Sequence, residues 1–168
     1  MVTLSYFIPK NNRSFALTEL LLVMGIMGIL LTLGTVSLFN LQRRTYLDSM
    51  VTTLVSDLRH EQLKSMLGYT AGENDTASYG IRFESNRYIL FRGNNYTPND
   101  PHNFIVNLDG NIEITAVTLP DSQIIFEKGS GLIRNYLADS SSITLKSITS
   151  SEQKTIWLNK YGVIIAVN

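Results

Sequence analysis

From Leu20 to Phe39 the sequence reads LLLVMGIMGILLTLGTVSLF, twenty residues without a charged side chain. As a helix, at ~1.5 Å rise per residue, such a run is about 30 Å long, the thickness of a bilayer's hydrocarbon core. The apolar region of a signal peptide spans only about 7–15 residues and precedes a small-residue cleavage site. This run is longer, and no such site follows it. A helix on the surface of a globular domain is apolar along one stripe, whereas this segment is apolar all round. The expectation is a transmembrane helix over residues 15–39. Lys10 and Arg13 flank one end and Arg43 and Arg44 the other, so the distribution of basic residues leaves its orientation open.

Residues 40–67 contain no Gly or Pro. Leu47, Met50, Val51, Leu54, Val55 and Leu58 follow helical spacing and form one apolar stripe. Arg43, Arg44, Asp57, Arg59, Glu61 and Lys64 lie mainly off it. Gly68 suits a helix C-cap. The pattern predicts one helix over residues 15–67, with an amphipathic continuation in residues 40–68 that packs on a domain.

After Gly68 the pattern changes. Residues 69–78 are polar, and short β-like runs follow: Tyr79–Glu84, Arg87–Arg92, Asn103–Leu108, Ile112–Leu119, Gln123–Glu127, Ile143–Thr149, Thr155–Asn159 and Val163–Val167. Turn signals separate them at Ser85-Asn86, Asp109-Gly110-Asn111, Lys128-Gly129-Ser130-Gly131 and Lys160-Tyr161-Gly162. Local pairing predicts an antiparallel β head over residues 69–168. The fold class expected is α+β: a long N-terminal helix packed on an antiparallel sheet or sandwich.

The start of the apolar run carries the most specific motif. Arg13-Ser14-Phe15-Ala16-Leu17-Thr18-Glu19-Leu20-Leu21-Leu22-Val23 resembles the prepilin-type cleavage and methylation motif of type IV pilin-like proteins. In that family a short basic leader ends in a small residue, usually Gly. Phe becomes the first mature residue, and a Glu stands fifth in an otherwise apolar helix. Here residues 1–14 would be the leader, Ser14 stands where the family has Gly, Phe15 comes first and Glu19 fifth. The resemblance implies cleavage between Ser14 and Phe15 by a prepilin peptidase and N-methylation of Phe15. It also implies charge pairing of Glu19 during subunit assembly, with the Phe15 amine of a neighbouring subunit as partner. An unpaired carboxylate in an apolar helix is costly, which fits a residue that needs a partner.

Asp57–Ser65, Tyr79–Phe83 with Tyr88–Phe91, and Ile156–Ile164 are similar to minor pseudopilins of the GspH/FimT type. The resemblance implies the pilin fold and a minor pilin or pseudopilin, a structural subunit of a type IV pilus or type II secretion pseudopilus. Its partners would be other pilin subunits through the N-terminal helix, the prepilin peptidase, the assembly machinery, and membrane lipid before assembly. Its place would be the cytoplasmic membrane, single-pass with the head outside, and then a filament at the cell envelope.

Other chemistries find little footing. There is no Cys, which excludes disulfides and thiol nucleophiles. His60 and His102 are isolated, and Asn99, Asp100 and His102 with Asp75 or Asp109 match no calcium loop. No phosphate-binding loop or nucleophile elbow is present. No enzyme activity, metal or cofactor is expected. Fourteen Lys and Arg balance fourteen Asp and Glu. Residues 69–168 hold eight basic against ten acidic residues, 8 − 10 = −2, so nucleic acid is a poor partner. A DNA-binding minor pilin of an uptake system, and a signal-anchored domain that never polymerises, are the alternatives.

Overall fold

The computed structural model describes residues 17–72, 74–138 and 141–167, and the side chains of these residues except 34–45. By its internal contacts the chain divides into two units, Met1–Leu41 and Gln42–Asn168.

Helix α1 spans Leu17–Leu67. It ends as helix termini commonly do: Gly68 adopts a left-handed φ of 65°, and the Tyr69 amide donates to the Lys64 carbonyl at 3.0 Å. In the second unit the helical part is the smaller share of the regular structure, and the described residues form eight strands: β1 (Tyr79–Glu84), β2 (Arg87–Arg92), β3 (Phe104–Asn107), β4 (Ile112–Val117), β5 (Gln123–Phe126), β6 (Ser142–Ser147), β7 (Gln153–Leu158) and β8 (Ile164–Val167). They form two antiparallel sheets of four, ordered β3-β2-β1-β5 and β4-β6-β7-β8.

One core joins these layers. Leu47, Val51, Leu54 and Leu58 of α1 pack with Ile81, Tyr88 and Ile124 of the first sheet and Ile143, Leu145 and Ile156 of the second. Burial of apolar area at ~25 cal/mol per Å² drives this assembly. Polar contacts then set the register of the helix. Lys154 Nζ on β7 meets Asp48 Oδ1 at 2.5 Å. The Tyr88 hydroxyl on β2 donates to Asp57 Oδ2 at 2.6 Å. The Tyr79 amide at the start of β1 donates to Ser65 Oγ at 2.9 Å.

The expected fold class is corrected. Among the described residues no helix is long and apolar enough to cross a membrane. This overturns the transmembrane reading of residues 15–39, some of whose side chains lie outside the described residues. It also overturns the single-pass placement in the cytoplasmic membrane. The regular structure of the body is mostly sheet, two antiparallel sheets of four strands with a small helical part, in place of the expected α+β pilin fold with a transmembrane first half to its helix.

A second correction concerns the stripe. Glu61 and Ser65 are buried, at 1% and 0% exposure, and continue the line of Leu54 and Leu58. Met66 and Leu67 beside them are 48% and 75% exposed.

Candidate interaction surface

The first surface is α1 over residues 17–33. The stretch lacks Pro and is rich in Leu, Ile and Met, so it holds a helix, yet every described side chain in it is exposed. Glu19 lies in the first turn of the helix as described. On an α-helix, Leu22, Val23 and Ile26 share its face. Of the residues singled out in the sequence, Glu19 is thus placed and exposed. Ser14 and Phe15, the expected cleavage and methylation positions, lie outside the described residues, as does the expected leader 1–14.

The second surface is a polar groove of about 570 Å³ lined by Asp75, Thr76, Ser78, Arg92, Lys128 and Arg134, among others. Its cations are largely met by protein oxygens. Arg92 Nη2 donates to the Asp75 carbonyl at 2.6 Å, and Lys128 Nζ approaches Asp75 Oδ1 at 3.3 Å. Arg134 Nη2 donates to Ser78 Oγ at 3.4 Å, with Nε 3.7 Å from Glu127. The hydrogen bond and charge of Lys128 hold the Asp75 carboxyl below its usual range. The arrangement fastens the loop after α1 to the ends of β2 and β5.

The third is an apolar cavity of about 530 Å³ near the end of α1, lined by His60, Leu63, Lys64, Leu67 and Tyr69. Glu61, buried on the same helix, takes a 2.7 Å hydrogen bond from Lys64 Nζ. Burial pushes the Glu61 carboxyl up, and the Lys64 contact opposes this only in part. The Lys64 ammonium also sits 5.5 Å from the Tyr79 ring centroid and 6.0 Å from that of Tyr69. The Tyr79 hydroxyl is fixed by the Tyr69 carbonyl at 2.8 Å. The sequence reading missed this cluster. The only available signal was that Glu61 and Ser65 stand seven residues after Leu54 and Leu58.

The residues set aside earlier have structural uses. His102 donates its amide to Asp100 Oδ1 at 2.8 Å, and its Nδ1 lies 3.0 Å from the same oxygen. These bonds hold the Asp100 carboxyl below its usual range. Among the described residues no group of three or more His, Asp or Glu is arranged to hold a metal ion.

No protein-family model, no curated protein and no solved structure matches the chain.

Proposed function

We propose that the chain is a structural subunit of a pilin-like filament, a minor pilin or pseudopilin, and that it performs no chemistry of its own. The observation that carries this reading is the uncovered apolar surface of α1 over residues 17–33, interrupted by the single carboxylate of Glu19. Leu17, Leu22, Met24, Leu31 and Leu33 are each more than 60% exposed. Apolar surface left in water costs ~25 cal/mol per Å², and a patch of this extent marks an interaction site. In a filament, equivalent surfaces of other subunits cover it, and Glu19 selects the register because its charge must be met by an opposite one. Removal of residues 1–14 and methylation of Phe15 belong to the same proposal.

The test compares Glu19→Ala with the wild-type chain. The body should keep its circular-dichroism spectrum and denaturation midpoint, because its core begins at Leu47. The fraction recovered in sheared filaments should fall at least tenfold. Wild-type recovery would sink the assembly role of Glu19.

A further inference from the structure

The polar groove beside Arg92 carries more positive charge than the described residues around it neutralise. Its cations come from two places in the fold: Arg92 ends β2, and Lys128 and Arg134 follow β5. Asp75 is the one carboxylate in the described lining. Glu127 lies 3.7 Å from Arg134 Nε, too far for a hydrogen bond. Even with Glu127 counted, three cations face two carboxylates. The contacts of the guanidinium Nη2 atoms go to neutral oxygens, a main-chain carbonyl for Arg92 and a hydroxyl for Arg134. Such oxygens accept N–H groups without cancelling charge. Among the described residues no ion pair joins Arg92 to a carboxylate, and its buried Nε has no hydrogen-bond partner. Asp75 and Asp100 feel its charge only at longer range. Lys128 is paired with Asp75 at 3.3 Å, but the Asp75 side chain is 86% exposed, and a pair of that kind is held weakly.

We propose that this groove is a phosphate site, in which a phosphate group, free or carried on a larger molecule, sits between Arg92, Lys128 and Arg134. The inference stands apart from the subunit reading and does not depend on it. A planar carboxylate accepts hydrogen bonds along one edge. A tetrahedral phosphate presents oxygens in several directions and meets a guanidinium fork two bonds at a time. Cations that converge from the end of β2 and from the segment after β5 suit the second geometry. The groove, about 570 Å³, has room for the group and part of whatever carries it, and Thr76 and Asn94 add neutral donors to its wall. Asp75 is an internal placeholder. Its carboxylate holds Lys128 until a phosphate displaces it, and its exposure lets it turn out into solvent.

Inorganic phosphate is titrated into the full-length chain by calorimetry at constant ionic strength, with acetate and glycerol 3-phosphate in parallel arms. Phosphate should bind saturably, and acetate about tenfold more weakly. Arg92→Gln and Arg134→Gln should each weaken phosphate binding about tenfold, the loss of a hydrogen bond to a charged group. Asp75→Asn should tighten it about threefold, because a competing surface charge is removed. That substitution lies at an exposed side chain, so it keeps the test decisive should circular dichroism show an arginine variant unfolded. Lys146→Gln, on β6 in the other sheet, should bind as wild type does. Glycerol 3-phosphate binding as well as phosphate would identify an ester as the ligand, and weaker binding the free ion; both support the site. No saturable binding, or acetate binding equally well, would overturn the inference. Full affinity in both arginine variants would place the phosphate elsewhere and overturn the site. Unchanged or weaker binding by Asp75→Asn would overturn the placeholder role. None of these results bears on filament assembly, so the subunit reading stands or falls by its own test.

Discussion

The Tyr88 hydroxyl donates to Asp57 Oδ2 at 2.6 Å and so ties the second strand to α1 from inside the core, where Tyr88 is 0% exposed. A hydrogen bond to a charged group contributes ~1.5–3 kcal/mol when buried. Asp57 is only half-buried and rehydrates when its partner is lost. Tyr88→Phe should therefore cost about 1–2 kcal/mol in urea denaturation. Burial, followed by the Asp57 hydrogen bond and charge, holds the phenol far above its ordinary value of 10.0. A raised folded-state pKa gives stability that is complete below the unfolded value and is lost as pH rises. Above pH 10 the wild-type chain should lose stability faster than Tyr88→Phe. Parallel pH curves would mean that another tyrosine governs alkaline unfolding.

Glu61 predicts behaviour at the acidic end. Its carboxyl is raised above the ordinary 4.5, with burial as the largest cause. The folded state therefore holds the proton more tightly than the unfolded chain. The contribution is complete below pH 4.5 and is lost as pH rises through the folded value. Glu61→Gln keeps a hydrogen-bond acceptor for Lys64 without the charge. Relative to wild type, it should gain stability as pH increases from 4.5 toward neutrality. Thermal melts at half-unit pH steps read this difference, and a constant gap would show that Glu61 ionises as freely folded as unfolded.

Gly80 marks a close approach within the first sheet. A Cβ there would sit 2.3 Å from the Ile124 carbonyl oxygen and 2.6 Å from Phe91 Cζ. The carbonyl belongs to the paired strand β5 and cannot move without breaking the ladder. Gly80→Ala should cost about 3 kcal/mol, at the upper end of overpacking, and lower the denaturation midpoint accordingly. An unchanged midpoint would mean that the β1–β5 pair is more yielding than its geometry suggests.

Leu54 is 0% exposed at the centre of the α1 stripe. Leu54→Ala should cost ~2–5 kcal/mol through lost burial and the cavity left behind. Leu63→Ala, at a half-exposed position on the same helix, should change the midpoint by less than ~0.5 kcal/mol. Comparable losses at both sites would mean that the buried face has been assigned wrongly.

Local pattern made several elements legible. Helical spacing picked out Leu47, Val51, Leu54 and Leu58, which are all buried. The runs Tyr79–Glu84 and Arg87–Arg92 are β1 and β2 to the residue, because Ser85-Asn86 makes a tight turn between them. Chain-local chemistry decides such features. The pairing of β5 with β1 brings Ile124 beside Ile81 across more than forty residues, and no local signal announces it. The burial of Glu61 was equally hidden, since a carboxylate reads as solvent-facing until Lys64 and the cover of the sheets are in place.

By itself, then, the sequence determined where the chain turns, where it is apolar, and which helical face is buried between Leu47 and Leu58. The tertiary structure decided the division of eight strands into two sheets and the extension of the buried face to Glu61 and Ser65. It also withdrew the membrane-spanning reading of the apolar run. The physical reason is common to all three. Periodicity records how much water a side chain tolerates, whereas which surface replaces that water depends on contacts between segments distant in sequence.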